Sequence, residues 1–416
     1  MHAVPRDRRI DSTVALLADP YGFISKQCRA LGTDLFEARI LLQPTVCMTG
    51  ADAARFFYDT RYFQRAGAAP EAVQATLFGK RAVQGLDGSA HLARKALFLK
   101  ALDRSALQAL SDGVRRQWHS MLSAWTLGQP VALYEAAQEV LGRAVFEWAG
   151  VPVPEAAAGD RTADLVSLFD DAARGLVPHL QSRLARQRSE RWLAGIIDAV
   201  RRGRVEAPAG SALHAAAFHQ GADGEPLPNR IAATELLNIL RPVVAISVFI
   251  VFVAHALHRY PECRALLRTG DADYRLCFLN EVRRYYPFFP AVAARVSEDT
   301  EWHGMLLRRG TRAMLDLYGT NHDPRSWSEP ERFLPARFSR RAANDFDFIP
   351  QGGADTRTHH RCPGEDATLA LMDVSADVLL NHVDYDVVRT SEALDMRRLP
   401  AMPRDGFTLA PKAIRA

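Results

Sequence analysis

From Ile231 to Phe252 the chain reads as one nearly unbroken apolar helix, and two adjacent residues inside it break the pattern. Arg241 is a permanent charge among aliphatic neighbours, and burying it unpaired costs several kcal/mol. Pro242 removes a mid-helix hydrogen bond at a cost of about 3 kcal/mol. The most lipid-like run, Pro242 to Ala254, stops at His255. It is too short to span a bilayer and reads as a helix buried inside a protein. Two accounts of the charge stay open. Either Arg241 pairs with Glu235 or a distant acid and Pro242 is a harmless kink, or the compensating group is one the chain does not supply.

The second constraint runs from Phe346-Asp347-Phe348 through Gly352-Gly353 to Arg361-Cys362-Pro363-Gly364-Glu365. An aromatic run leads into paired glycines, and a lone cysteine follows where Pro363 and Gly364 allow a helix, Asp366 to Leu380, to begin. A cysteine at a helix N-terminus faces unpaired N–H groups and the positive end of the dipole, which favours thiolate. A thiolate in a rigid loop suits the axial site of haem iron. The alternative is an inert, half-buried thiol.

Composition narrows the classes. The 416 residues are 48% hydrophobic and 24% charged, enough for a large core, with a net charge of only +4. No basic tail or aromatic-basic alternation points to nucleic acid. The five cysteines are an odd number with no two at metal-site spacing, which argues for a reducing cytoplasm and against a disulfide scaffold or zinc. Met1 to Asp11 is charged and shows no signal peptide. No repeat, low-complexity tract or long Ser/Gly linker marks a boundary, so residues 1–416 read as a single domain, cytoplasmic and without a membrane span.

Taken in order, Ser12–Ala18 and Gly22–Leu31 read as short helices, Asp34–Met48 as a hairpin and Ala51–Tyr58 as a helix. The loop Phe78–Gly88 feeds a helix, Ser89–Leu99, on which His91 and Lys95 share one face. Such a cationic pair suits paired carboxylates, or is a solvated surface pair. Leu107–Val200 is helical with breaks near Gly128–Pro130 and Gly150–Pro152. Arg183–Arg204 reads as a surface helix rather than a binding patch, with Trp192, Ile196 and Ile197 at helical spacing, and Pro208–Asn229 as loop-rich, its His214 and His219 not set for a metal. Glu281 and Arg284 share a helix face. Ala294–Asp316 alternates like small strands, and Phe407–Ile414 suits a last hairpin.

The cysteine loop resembles that of the haem-thiolate superfamily of cytochromes called P-450. The stretch from Gly353 to Cys362 is longer than in most relatives. The inserted residues, with Arg241-Pro242 and Val83-Gln84-Gly85-Leu86-Asp87-Gly88, are similar to one branch, the bacterial fatty-acid peroxygenases. The resemblance implies a mainly α fold with small peripheral β-sheets. It implies haem b, its iron ligated by Cys362, with His91, Lys95, His360 and Arg361 about the cofactor. It implies that Glu281, Arg284 and Arg337 brace the cysteine loop.

No Asp or Glu occurs from Leu236 to Leu257, so the acid that most relatives place over the haem is missing. The resemblance implies that a fatty acid's own carboxylate docks on Arg241, beside Pro242, and acts as the general acid–base, with hydrogen peroxide as oxidant and no reductase. Phe78 and Phe288 would line the acyl pocket and Gln84 would stand over the haem. Gln84, where alkene-forming relatives typically carry histidine, favours hydroxylation at the β or α carbon. Phe289 and Ala291 depart from the branch's usual Gly and Phe. The alternatives are peroxide-driven decarboxylation to a terminal alkene, a reductase-dependent monooxygenase of a non-acid substrate, and a haem-binding sensor.

Overall fold

The computed structural model describes residues 3–339, 341–342 and 344–415. The helices that build the body of the fold are α1 (Gly88–Ala101), α2 (Arg104–Ala124), α3 (Leu133–Ala149), α4 (Glu155–Asp170), α5 (Leu176–Arg201), α6 (Ala212–Phe218), α7 (Asn229–Arg259), α8 (Ala272–Tyr285) and α9 (Glu365–Asp377). Further helices at Thr13–Ala18, Phe23–Leu31 and Ala51–Phe57 flank an N-terminal sheet.

The apolar segment forms the spine. In α7 every residue from Ala232 to Leu257 except Pro242 is buried. It packs against α3, α5, α9 and α4. Its apolar window is 94% buried inside the protein, so the helix long enough to cross a membrane is the core helix. The helix continues through Pro242. Around it Trp118, Leu141, Leu193, Phe278 and Leu371 belong to one continuous core with its own Phe249.

Five strands make the larger sheet: β1 (Leu35–Ile40), β2 (Gln43–Met48), β3 (Phe63–Gln64), β5 (Ala291–Val296) and β6 (Arg312–Asp316), with β4 (Val131–Ala132) lying elsewhere. The order is β1-β2-β6-β5-β3, and only β2 and β6 run parallel. The β1–β2 turn places Leu41 (φ 52) and Leu42 (φ 59) in the left-handed region that ordinarily favours Gly or Asn. Their amides are held by Thr13 Oγ1 at 2.6 Å and Asp11 Oδ2 at 2.8 Å. A second sheet, β4-β8-β7, pairs β7 (Val383–Thr390) antiparallel with β8 (Phe407–Ile414), the expected final hairpin. The architecture is thus mainly helical with small sheets at its edges, as expected.

Pro208–Asn229 is loop-rich as expected, with one short helix, α6, inside it, the Ser211 hydroxyl accepting from the His214 amide at 3.2 Å. The serine cap before an alanine-rich run was the available signal. Arg183–Arg204 is, to Arg201, the C-terminal part of α5, a surface helix as expected, with Ser182, Ala185, Arg186, Ser189, Leu193, Ile197 and Val200 as its buried face.

Candidate active site

The cysteine loop is folded back on itself before α9. The Cys362 amide donates to the Gln351 carbonyl at 3.1 Å, and the Gly364 amide points at Cys362 Sγ at 3.4 Å. Paired glycines are required for this return. Gly352 sits at φ +100, with a Cβ placed 3.3 Å from Arg361 Cα, and a Cβ on Gly353 would meet the Asp345 carbonyl at 2.7 Å. Of the five cysteines, four are buried and Cys362 alone is partly exposed.

Burial raises the Cys362 pKa and Glu365 adds to it, against the Gly364 amide, Lys95 and Arg283. The Gly364 amide at the helix end favours the thiolate, as expected, and burial outweighs it. Metal coordination deprotonates such a thiol outright.

Arg283 grips this loop. Its guanidinium donates to Glu365 Oε2 at 2.6 Å and Gln351 Oε1 at 3.2 Å. The expected triad is present one position further on. Arg284 makes two 2.8 Å bonds to Glu281, and Arg337 Nε reaches Glu281 at 3.2 Å. Their other donors, however, hold the carbonyls of Asn321, Ser328, Glu329, Pro330 and Arg332. Bracing of the cysteine loop by the triad is indirect, through the Ile349 amide on Asn321 Oδ1 at 2.9 Å.

Residues expected about the cofactor converge from α1 and the loop. The His91 and His360 rings stack with centroids 3.9 Å apart. Lys95 Nζ donates to the carbonyls of Arg361, at 2.8 Å, and of His359. Burial, then His360 and Lys95, push His91 down to about 3, and burial pushes His360 down to about 4. His91 and Lys95 are therefore not a cationic pair; the histidine is neutral. Arg361 is committed to Glu365 at 2.7 Å and Asp345 at 3.0 Å. Arg65, missed in the sequence, is buried beside this group. It donates to the Ala293 carbonyl at 2.6 Å, lies over the Phe57 ring and has no salt bridge among the described residues. No local pattern distinguishes it from a surface arginine.

On α7, Arg241 is 6% exposed. Among the described residues no carboxylate pairs with it, and its Nε has no partner. Glu235, the intrachain candidate, is taken: Arg94 Nη1 lies 2.6 Å away, the Val83 amide 2.9 Å and Asn238 Nδ2 3.3 Å. Burial first, then the charge of Arg186, lowers the Arg241 pKa to about 9, with Cys362 opposing. It stays charged at neutral pH.

Gln84 lies in the 3-10 turn Val83–Gly85, its buried Oε1 without a partner among the described residues. The Phe78 carbonyl is held by Arg186 and Asn238, and Phe288 stacks on Phe249 at 4.4 Å, two turns along α7 from Arg241.

This set fits haem. A soft sulfur in a rigid loop suits iron, Lys95 and Arg65 suit propionates, and the orphaned Gln84 Oε1 and Arg241 Nε are polar atoms that a ligand would satisfy.

Comparison with known proteins agrees. The cytochrome P-450 family model matches residues 274–376. The structure of cytochrome P-450SP alpha (CYP152B1) in complex with (R)-ibuprophen superposes with a TM-score of 0.94 at 46% identity, covering 96% of this chain and 98% of that one. Cytochrome P-450EX alpha (CYP152N1), wild type with myristic acid, superposes at 0.95 with 37% identity over 99% of each chain. A curated relative, cytochrome P-450 84A4 of Arabidopsis thaliana, is 34% identical over 110 residues, 25% of this chain and 21% of that protein's length.

Proposed function

The chain belongs to the cytochrome P-450 family, in its CYP152 branch, and from that premise we propose that it is a peroxide-dependent hydroxylase of long-chain fatty acids. The family's cofactor is haem with a cysteine thiolate on its iron, and Cys362 is that cysteine here. Lys95 and Arg65, with His91, would hold the propionates. The haem, when bound, supplies the oxidising centre at which one peroxide oxygen enters a C–H bond and the other leaves as water.

One observation carries the reading: Arg241 is a buried guanidinium whose nearest acid on α7, Glu235, is engaged elsewhere. A planar guanidinium takes a carboxylate in bidentate fashion, each charge-assisted bond contributing about 1.5–3 kcal/mol. The ligands in the two solved structures cited above are both carboxylic acids. Arg241 would hold such an acid by its carboxylate, and that carboxylate would hold or move a proton beside Arg241 as the general acid–base. α7 offers no carboxylate of its own from Leu236 to Leu257 for that step. Phe78 and Phe288 contribute apolar walls, and Gln84 favours hydroxylation over loss of carbon dioxide. The whole chain acts as one cytoplasmic domain with no reductase.

The test is conversion of myristate with hydrogen peroxide alone, products identified, in wild type and Arg241→Leu. β- or α-hydroxymyristate from the wild type only is the expected result. A majority of terminal alkene would overturn the hydroxylase assignment, and turnover that demands a reductase would overturn the peroxygenase reading.

A further inference from the structure

Arg186 points inward from α5 with a side chain only 3% exposed, and all three of its nitrogens are engaged. Nη1 donates to the carbonyls of Thr76 at 3.2 Å and Leu77 at 3.0 Å, and Nη2 to that of Phe78 at 2.9 Å. Those three consecutive carbonyls end the π-helical turn Gln74–Phe78, where backbone acceptors run out of partners. Nε is paired with Glu190 at 2.8 Å, and Glu190 accepts from Thr234 Oγ1 of α7 at 3.2 Å. From the opposite side Asn238, also on α7, donates to the same Phe78 carbonyl at 2.8 Å.

The Phe78 main chain is therefore clamped between α5 and α7 by two donors on one oxygen. Gly79 makes the clamp possible. It sits at φ +88, and a Cβ there would lie 2.2 Å from Arg186 Nη2 and 2.5 Å from Thr234 Cγ2. Only a glycine lets the guanidinium reach the carbonyls. Burying a cation to hold main-chain oxygens fixes one segment in one place, and that segment carries Phe78. Asn238 links it to α7 one turn before Arg241.

We propose that Arg186 is a positioning residue that sets acyl-chain selectivity by fixing the Phe78 main chain, and this rests on the reading above of Arg241 as the carboxylate anchor and Phe78 as an acyl wall. A lysine in place of Arg186 keeps the charge but cannot span three carbonyls, whereas Gly79→Ala keeps the arginine and blocks its approach.

The experiment uses the haem-loaded protein and isothermal titration of butyrate, decanoate, myristate and palmitate. Each methylene buried against a fixed wall strengthens binding by about fourfold. In Arg186→Lys and in Gly79→Ala the ratio of Kd values between decanoate and palmitate should change by about tenfold or more, while butyrate, which reports Arg241, stays within about twofold. Amides 76–85 should exchange hydrogen for deuterium faster in both variants, with the rest of the protein unaltered. Glu190→Gln serves as a milder third variant should either fail to fold. An unchanged ranking of acids, or weakening of all four alike with a lower Tm, overturns this inference alone. A wild type that binds no acid, or binds as well after Arg241→Leu, overturns the anchor reading and this inference with it.

Discussion

Arg94 holds Glu235 at 2.6 Å from a position 141 residues away in the chain, and so occupies the only carboxylate that α7 carries. The free charge of Arg241 is a consequence of that pairing as much as of its own surroundings.

Breaking the pair should expose its electrostatics. Burial raises the Glu235 pKa while Arg94 lowers it, and removing Arg94 leaves the carboxyl raised further. Arg94→Gln should destabilise the fold by about 3 kcal/mol. A carboxyl whose folded pKa exceeds its unfolded one binds more protons when folded. Stability should therefore fall as pH rises from the ordinary carboxylate range through the folded pKa, more steeply than in wild type. Thermal melts across pH 4–8 (about four units, the range in which such a group titrates) read this directly; equal slopes would show that Glu235 is indifferent to Arg94.

Arg241→Leu should separate stability from function. Removing a buried, unpaired cation should raise stability by about 1–3 kcal/mol in the absence of acid. The same change should weaken myristate binding by about thirtyfold or more, the loss of a bidentate charge-assisted pair. A variant that is less stable than wild type would mean that the guanidinium has a protein partner after all.

Asp316 offers a pH test remote from the site. It ends β6 and caps the helix Leu317–Asn321 through the Gly319 amide at 2.6 Å. Burial raises its pKa to about 7. The folded state thus binds the proton more tightly, and stability should be lost as pH rises from about 4 through about 7. Asp316→Asn keeps the cap and removes the titration, so it should flatten that loss and gain up to about 4 kcal/mol on wild type at alkaline pH. Parallel Tm curves for the two proteins would contradict this.

Cys362→Ser should abolish thiolate ligation without unfolding the loop, because Gln351, Arg283 and Glu365 hold it through other contacts. The reduced carbon-monoxide spectrum should lose the red-shifted band that marks thiolate. Retention of that band would assign the ligand to another residue.

Much of this was open to a reader of the chain. The apolar spine, the hairpins and the paired glycines before Cys362 follow from periodicity and backbone geometry within a few residues. So does the conflict at Arg241-Pro242, because a charge and a proline in an apolar helix are local facts. The short helix α6 inside the loop-rich Pro208–Asn229 is local too, because Ser211 caps it.

The rest lies in contacts across long separations. Arg283, not Arg284, reaches the cysteine loop, though both stand on the same helix and nothing between them in sequence tells which one faces Glu365. Arg186 resembles every other arginine of α5 until the turn at Thr76–Phe78 is laid against it. His91 reads as a cation beside Lys95, and is neutral because folding stacks it on His360 away from water. By itself, then, the amino-acid order determined which helix is the core, where the thiol sits and that one guanidinium would need a partner. Tertiary structure alone decided that the partner is not Glu235. Helix formation and turn chemistry are settled by neighbours a turn away, whereas desolvation and the pairing of charges depend on whichever distant segments the fold brings together.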